Sequence, residues 1–251
     1  MSTRLRTRWS EGGAAIAVWF STYSPSIAEG IAGLDFDVIV IDLQHGLLDE
    51  NDATTMMRAM ARTDATILCR VPSNKPGVIG RVLDAGAAGV IVPMVNSAAD
   101  AQAAVRAARY APDGERSFGP TRARLTGRTT DVAEMNDATL VIPMIETVQA
   151  VEHVEEIAAV DGGDALYVGP SDLSITLGLA PRGHHDDERF LGALERVLAA
   201  ATAHGVAPAI HADASLAARR LDEGWSMVTV VTDIQAAMAG ASDALDAARR
   251  R

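Results

Sequence analysis

The chain of 251 residues has a single cysteine, Cys69, so it can form no internal disulfide, and nothing in it suggests an oxidising compartment. Aromatic residues make up only 4% of the chain, and no stretch approaches the length of apolar sequence that a membrane-spanning helix needs. The N-terminal segment is basic but lacks the apolar core of a signal peptide. These absences lead us to expect a soluble, cytoplasmic protein.

Positive charge is also scarce. Lysine and arginine total 22 against 33 aspartates and glutamates, which gives a net charge of −11. A surface of this sign is unsuited to nucleic acid or to an anionic membrane. We therefore expect neither of these partners, and we look for sites that bind small molecules.

Short apolar runs are what the chain has in quantity. Hydrophobic residues make up 48% of the sequence, which is ample for a full core. Eight of the runs are rich in β-branched residues and do not alternate with polar residues, as is typical of parallel strands buried on both faces. Ala-rich segments such as 97–111 and 189–205 have apolar residues three or four apart and predict helices. The eight predicted strands cover residues 15–20, 37–42, 66–70, 89–93, 140–146, 164–169, 207–211 and 226–231.

A strand followed by a helix, repeated eight times, is the pattern of a (β/α)8 TIM barrel of the α/β class, and we expect residues 1–251 to form one such domain. An open doubly wound sheet is the alternative, but the Gly-rich turn that usually follows its first strand is missing. Segments 112–139 and 178–188 exceed ordinary loop lengths and are predicted to act as lids or assembly elements. The Ala-rich C-terminal helix could pack on its own barrel or serve in oligomerisation.

Ionisable and polar side chains collect where the predicted strands end. The active sites of barrels lie at the carboxyl ends of their strands. Here those ends carry polar groups that the strand bodies lack, so we predict one site at this end of the barrel. The residues are Asp42, Gln44, His45, Arg70, Glu146, Ser171, Asp172, His211 and Asp233.

Glu146 and Asp172 follow neighbouring strands of this predicted barrel. Two carboxylates with room for water suit a hard divalent cation such as Mg²⁺ or Mn²⁺, whereas a zinc site more often brings additional histidine or cysteine ligands. The alternative is structural: Glu146 would pair with a basic residue, and Asp172 would cap the following helix. The spacing leaves both interpretations open.

Arg70 and two histidines offer further chemical groups. The Arg70 guanidinium could bind a carboxylate or an enolate through a forked pair of hydrogen bonds, or it could form a salt bridge with Asp42 or Glu146. His45 could act as a general base, because an imidazole titrates near working pH. The alternative for His45 is a structural histidine with its hydrogen bonds satisfied. His211 closes the seventh strand and could also face the site.

Four motifs, taken in order, resemble those of the HpcH/HpaI aldolases, also called 4-hydroxy-2-oxoheptanedioate aldolases. They are DFDVIVIDLQHG, CRVPSNKPGVIGRVLDAGAAGVIVPMV, IPMIET and LYVGPSDLSITLG. The resemblance implies a (β/α)8 barrel with class II aldol chemistry, in which a 4-hydroxy-2-oxo acid is cleaved reversibly to pyruvate and an aldehyde through a metal-bound pyruvate enolate. It also implies a divalent cation, Mg²⁺ or Mn²⁺ with Co²⁺ or Zn²⁺ as alternatives, and a homo-oligomer in the form of a trimer-based hexamer.

The resemblance assigns a role to each residue that matches a family motif. It implies that Glu146 and Asp172 are the metal ligands. It implies that His45 is the base and that Arg70 stabilises the transition state. Asp84, in the RVLDAG motif, would be the acid that raises the basicity of His45.

Further residues are implied to contact the substrate. The backbone amides of Ser171 and Asp172 would hold the pyruvate carboxylate. Met144 stands where many members have a substrate-contacting glutamine, and Gln44 stands where many have glutamate, so these two departures bear on the positioning of substrate or water. Independently of the family, a Schiff-base aldolase would need a lysine at a strand end, and the only lysine, Lys75, lies in a predicted loop.

Three other functions stay open at this point. A CoA-thioester lyase of the citrate lyase β or malyl-CoA type would have a similar barrel and acid pair, but its CoA tail calls for a basic patch, which only residues 116–128 offer. A barrel that binds a metabolite without turnover would leave the set of His45, Arg70 and two acids unexplained. Decarboxylation of oxaloacetate is a conceivable side activity of the same site.

Overall fold

The computed structural model describes residues 4–250, so residues 1–3 and 251 of the predicted domain lie outside the described residues. Eight parallel strands pair in sequence order, and the last pairs with the first to close a barrel. The predicted (β/α)8 barrel is therefore confirmed. The strands are β1 (Ala15–Phe20), β2 (Val38–Asp42), β3 (Thr66–Arg70), β4 (Gly89–Val92), β5 (Leu140–Ile145), β6 (Ala165–Val168), β7 (Ala207–His211) and β8 (Met227–Thr232).

Helices alternate with the strands and cover the outside of the barrel. Those predicted at 97–111 and 189–205 are present as α5 (Ala98–Ala108) and α11 (Glu188–His204), and segment 112–139 contains two short helices, α6 (Thr121–Leu125) and α7 (Val132–Ala138). Among residues 4–250, no helix is both long and apolar enough to span a bilayer. The helices are α1 (Arg4–Ser10), α2 (Pro25–Ile31), α3 (Glu50–Ala59), α4 (Pro76–Asp84), α5 (Ala98–Ala108), α6 (Thr121–Leu125), α7 (Val132–Ala138), α8 (Val148–Glu152), α9 (Val154–Ala158), α10 (Pro170–Thr176), α11 (Glu188–His204), α12 (Ala214–Asp222) and α13 (Asp233–Arg249).

Alternate side chains of the strands build two apolar clusters. One fills the barrel and includes Trp19, Met144 and Tyr167, and the other lies between the strands and the helices. Because both faces of each strand are covered, a charged side chain in a strand body would be buried on either face. Charged groups of the described strands are therefore confined to the strand ends, where the predicted site lies.

Helix α1 closes the N-terminal end of the barrel. Leu5 is 2% exposed and belongs to the cluster inside the barrel. Two ion pairs fasten the helix: Arg6 Nε lies 2.5 Å from Asp164 Oδ1, and Arg8 Nη2 lies 2.5 Å from Asp37 Oδ1. With this end covered, a ligand would reach the barrel interior from the C-terminal end of the strands.

Candidate active site

Arg70 closes β3 and forms a forked ion pair with Asp42 of β2. Nε donates to Asp42 Oδ1 at 2.8 Å, and Nη2 donates to Oδ2 at 2.6 Å. The two residues are register partners on adjacent strands, which brings them together. Burial opposes ionisation of Asp42, but the hydrogen bonds and charge of Arg70 outweigh it and hold the pKa of the Asp42 carboxyl below its usual range. The sequence left open a salt bridge of Arg70 with Asp42 or with Glu146, and the structure contains the one with Asp42.

The fork leaves part of the Arg70 guanidinium available to a ligand. A guanidinium carries five N–H donors, and Asp42 engages two of them. The guanidinium carbon also lies 5.0 Å from the centroid of the Trp19 ring, within the range of a cation–π contact. Asp42 and Trp19 thus fix the orientation of a cation whose remaining donors could stabilise a developing oxyanion.

Glu146 follows β5 and is a buried carboxylate without an ion-pair partner among residues 4–250. It is 1% exposed, and its Oε1 accepts a hydrogen bond of 2.7 Å from the backbone N–H of Met94. Burial raises the pKa of Glu146, and the negative charge of Asp172 adds to the rise, against the Met94 hydrogen bond and the charge of Arg70. The alternative in which Glu146 pairs with a basic residue is therefore wrong.

Backbone geometry on two sides positions the Glu146 carboxylate. Met94, which was not singled out from sequence, has a φ of 55°, in the left-handed region that side chains other than glycine rarely adopt. In this conformation its N–H donates to Glu146 Oε1. On the other side, a Cβ added to Gly169 would lie 2.7 Å from Glu146 Oε2 and 3.1 Å from Met144 Cε. Glycine at this position leaves Oε2 the space that a ligand would need.

Asp172 lies in the first turn of α10, close enough to Glu146 to raise the pKa of that carboxyl. The N-cap of α10 is Gly169, and Pro170 occupies the first helical position, as is common for proline. The alternative in which Asp172 caps this helix is therefore wrong. In the described part of the chain, no group of three or more His, Cys, Asp or Glu residues could hold a metal ion. The acid pair would need oxygen atoms from water or substrate to complete the coordination of a cation.

His45 lies on a tight turn after β2. The backbone N–H groups of Gln44 and His45 donate to Asp42 Oδ1 at 3.0 and 3.3 Å. A Cβ on Gly46 would collide with the carbonyl oxygen of Asp42, so the turn requires glycine. The imidazole is exposed and makes no hydrogen bond with the residues of the described range. The ring nitrogens of His45 therefore have no hydrogen-bond partner in this range, contrary to the alternative of a structural histidine with its hydrogen bonds satisfied. The ring is accessible to solvent.

Asp84 lies far from His45 in the fold. It ends α4, and because the helices run antiparallel to the strands, this end of α4 lies at the N-terminal end of the barrel. There Asp84 Oδ1 accepts a hydrogen bond of 2.5 Å from Arg116 Nη2, beside a cavity of about 660 Å³ that Arg4 and Ala88 also line. The expected pairing of Asp84 with His45 does not occur within one chain.

The other predicted residues lie at the same end of the barrel as the acid pair. Ser171 and Asp172 lie in the first turn of α10, where backbone N–H groups have no acceptor within the helix. Met144 is buried in the barrel interior, two residues before Glu146, and its Cε and Glu146 Oε2 both border the space at Gly169. Gln44 Oε1 is buried with no partner among residues 4–250, so it is an acceptor that a bound water could satisfy.

His211, which the sequence places at the site, belongs to a set of interior side chains beside Arg70 whose other members, Trp19, Tyr167 and Thr229, were not predicted. The Trp19 ring lies 5.5 Å from the Tyr167 ring and 5.2 Å from the His211 ring, measured between centroids. The Tyr167 hydroxyl lies 2.7 Å from Thr229 Oγ1 and 3.2 Å from His211 Nδ1. The sequence could have predicted that these side chains face the barrel interior together. Alternate residues of a strand face the same side of a sheet, and paired residues of neighbouring strands share that side.

The chain is similar to known proteins over nearly its whole length. The family model described as HpcH/HpaI aldolase/citrate lyase matches residues 15–239. A hydroxypyruvate/pyruvate aldolase of Rhizorhabdus wittichii is 36% identical over 247 residues, which cover 98% of this chain and 98% of the relative. A 4-hydroxy-2-oxovalerate aldolase of Novosphingobium aromaticivorans is 38% identical over 245 residues, which cover 96% of this chain and 92% of the relative.

A solved structure is also similar to this chain over nearly its whole length. The crystal structure of an HpcH/HpaI aldolase/citrate lyase family protein from Burkholderia cenocepacia matches with a TM-score of 0.92 at 32% identity, and the match covers 99% of this chain and 100% of that chain. The relatives in both sequence matches are named aldolases, which confirms the prediction of an aldehyde-lyase type of enzyme. The resemblance carried by the four motifs is confirmed too, and the chain belongs to the HpcH/HpaI aldolase/citrate lyase family.

Proposed function

We propose that the chain is a class II pyruvate aldolase that cleaves 4-hydroxy-2-oxo acids reversibly to pyruvate and an aldehyde. The observation that carries the proposal is the buried Glu146 carboxylate, which lies next to Asp172 and has no ion-pair partner among residues 4–250. An acid pair at the C-terminal end of a barrel suits a divalent cation. The names of the relatives support the class of reaction.

Glu146 and Asp172 are the residues that would hold the cation. Both offer hard oxygen ligands, which favours Mg²⁺ or Mn²⁺ over Co²⁺ or Zn²⁺. The Met94 amide engages Oε1 of Glu146 and leaves Oε2 for the cation, and Gln44 Oε1 is an unpaired acceptor that could hold a water ligand in place. When bound, the cation would supply Lewis-acid stabilisation of negative charge on the keto oxygen.

Arg70 and the first turn of α10 would bind and orient the oxo acid. The N–H groups of Ser171 and Asp172 would donate to its carboxylate. The Arg70 guanidinium would lie where negative charge develops on the keto oxygen as the C3–C4 bond breaks. Because Asp42 already fixes this guanidinium, little reorganisation is needed during the reaction. Met144 would form the apolar floor under the substrate.

His45 would move the proton. Its exposed ring could take the proton of the C4 hydroxyl, either directly or through a water molecule. The electron pair of the C3–C4 bond passes to the enolate of pyruvate, and C4 becomes the carbonyl carbon of the aldehyde. Protonation of the enolate at C3 then gives pyruvate, and the reverse sequence joins pyruvate to an aldehyde.

The proposal includes a homo-oligomer, a trimer-based hexamer. Asp84 and His45 lie at opposite ends of one barrel, so an effect of Asp84 on the basicity of His45 requires Asp84 of a second copy. Helix α13 is exposed from Ile234 onward, and its Met238 is 67% exposed. An uncovered helix with apolar side chains suits packing against a neighbouring chain.

A CoA-thioester lyase is the alternative, because the family description names citrate lyase as well as aldolase. A CoA tail carries phosphates and would need basic side chains near the site. Two arginines of segment 116–128 are instead engaged at the other end of the barrel. Arg116 binds Asp84, and Arg122 donates to the carbonyl oxygens of Ala85 and Met57. The geometry therefore favours the aldolase.

Pyruvate release from 4-hydroxy-2-oxo acids, followed with a coupled lactate dehydrogenase assay, tests the proposal. Activity should vanish after EDTA treatment and return with Mg²⁺ or Mn²⁺. Glu146→Gln should abolish it, whereas the control Glu195→Gln, at an exposed acid of α11, should not. Activity that is indifferent to EDTA would contradict the metal-dependent mechanism. Turnover of malyl-CoA without pyruvate release from any oxo acid would establish the CoA lyase instead.

A further inference from the structure

His211 presents a free ring nitrogen at the open end of the barrel. It closes β7, at the same end as Arg70. Its ring contacts Trp19 edge-on and its Nδ1 lies 3.2 Å from the Tyr167 hydroxyl, and because both neighbours belong to the cluster inside the barrel, the imidazole points inward. The residue is partly exposed, and its Nε2 makes no hydrogen bond with residues 4–250. Nε2 is therefore available to a ligand.

The hydrogen bonds behind His211 determine which nitrogen carries the proton. Thr229 is 0% exposed, and within the described range its hydroxyl has one partner, the Tyr167 hydroxyl at 2.7 Å. If Tyr167 donated to Thr229, the Thr229 proton would be buried without an acceptor, which is costly. Thr229 therefore donates to Tyr167, Tyr167 donates to Nδ1 of His211, and the imidazole proton lies on Nε2.

The surroundings keep this imidazole neutral. Burial and the charge of Arg70 lower the pKa of His211 to about 4, against smaller opposing effects of Asp42 and Asp213. Burial also raises the pKa of the Tyr167 hydroxyl, so that group keeps its proton as a donor. The site thus contains an uncharged side-chain N–H donor, in addition to the Arg70 guanidinium and the α10 amides that would bind the keto and carboxylate oxygens.

We propose that His211 is a specificity residue that donates a hydrogen bond from Nε2 to a hydroxyl group of the substrate, other than the C4 hydroxyl assigned to His45. The inference rests on the proposed aldolase function, in which Arg70 and the α10 amides already bind the keto and carboxylate oxygens. A neutral donor then matches an uncharged hydroxyl oxygen. That hydroxyl belongs either to the donor substrate, as in hydroxypyruvate, or to the aldehyde, as in glycolaldehyde.

Two pairs of substrates and two variants test this role. Hydroxypyruvate is compared with pyruvate on one aldehyde, and glycolaldehyde is compared with acetaldehyde on pyruvate. His211→Asn keeps an acceptor for Tyr167 but lacks a donor in place of Nε2, whereas His211→Gln keeps that donor. In the Asn variant we expect kcat/KM for the hydroxylated member of one pair to fall about 10–100-fold, and for its unsubstituted partner less than about threefold. The Gln variant should recover part of the loss.

Each outcome has a distinct meaning. The pair that responds shows whether the hydroxyl belongs to the donor substrate or to the aldehyde. An equal loss for both members of both pairs, or no loss in the Asn variant, would overturn the role of His211 and leave the aldolase function intact. Wild-type protein that forms no product from any of these substrates would remove the proposed function, and the role of His211 with it.

The tautomer can be measured without turnover. In the ¹⁵N spectrum of the wild-type protein, the His211 imidazole should carry its proton on Nε2. Tyr167→Phe, which removes the donor to Nδ1, should shift the tautomer population, while the control Tyr23→Phe, at an exposed tyrosine, should not. A wild-type His211 with its proton on Nδ1 would overturn the proposal.

Discussion

The Glu146 carboxylate is buried, accepts one hydrogen bond from the described residues, and has a pKa raised by burial and by Asp172. Without a cation, such a group opposes folding at neutral pH, because its ionised form is better solvated in the unfolded chain. For a carboxyl whose pKa rises on folding, the stabilisation is fully present below the unfolded pKa and is lost as pH rises through the folded pKa. A bound cation would offset this cost and would explain why a carboxylate is kept at this position.

We expect Glu146→Gln to make the cation-free protein at least as stable as wild type at neutral pH, because the amide oxygen can still accept the Met94 N–H and carries no buried charge. The pH dependence contributed by Glu146 should disappear. Mg²⁺ at 100 times its Kd should raise the free energy of unfolding of wild type by about 2.7 kcal/mol and leave the variant nearly unchanged. Urea denaturation with EDTA or Mg²⁺ measures both effects. Equal stabilisation of wild type and variant by Mg²⁺ would place the cation elsewhere.

Gly169→Ala tests the space around the acid pair. The new Cβ would lie 2.7 Å from Glu146 Oε2, so the carboxylate must move from the position in which Met94 holds it. We expect a loss of stability of about 1–3 kcal/mol from overpacking and a loss of kcat of about 100-fold from the misplaced ligand. The control Gly192→Ala, in α11 with open space at its Cβ, should stabilise by about 0.5–1 kcal/mol. Unchanged kinetics in Gly169→Ala would show that Oε2 needs no such space.

At the scale of elements, the strands could be predicted because parallel strands covered on both faces must be apolar throughout. Helix α1 could not be predicted, because its sequence RLRTRWS is short and mostly polar. The burial of Leu5 depends on the closed barrel, which the local sequence does not reveal. Asp84 was matched to His45 by motif alone, although the direction of α4 relative to the strands places it at the other end. The N-cap of α10 was missed because proline at the first helical position makes Gly169 the cap.

Leu5→Ala tests the contribution of α1. Leu5 fills the N-terminal end of the barrel interior, so its truncation should leave a cavity and lower the free energy of unfolding by about 2–5 kcal/mol. Since the active site is proposed at the opposite end, kcat and KM should stay within about twofold below the unfolding temperature. Urea denaturation and steady-state kinetics measure the two effects. Leu34→Ala, at a residue that is 58% exposed, is the control and should change neither the free energy of unfolding nor the kinetics. A large change in kcat would show that the two ends of the barrel are coupled.

At the scale of the whole molecule, the two ends of the barrel carry complementary parts of the proposed site. His45 lies at the C-terminal end, and Asp84 lies at the N-terminal end, paired with Arg116. A contact between the two in different copies joins unlike surfaces, and contacts of that kind close into a ring where the rotation between copies closes. In the proposed trimer-based assembly, each site would thus combine His45 of one chain with Asp84 of another.

Mixing inactive variants tests whether the site is shared between chains. We expect His45→Asn and Asp84→Asn each to lose most activity, the latter without unfolding, because asparagine keeps an acceptor for Arg116. Refolded together in equal amounts, they should recover activity in about one quarter of the sites, where the intact His45 of an Asp84→Asn chain meets the intact Asp84 of a neighbouring His45→Asn chain.

The control for this mixture is His45→Asn with Arg70→Ala. Arg70 ends β3 and His45 follows β2 of the same chain, and these strands are adjacent, so no combination of these two variants contains a complete site. Pyruvate release should therefore recover in the first mixture and not in the second. Recovery in both would mean that subunit mixing merely stabilises damaged chains, and recovery in neither would confine any role of Asp84 to its own chain. Only the first pattern requires that a site takes His45 and Arg70 from one chain and Asp84 from another.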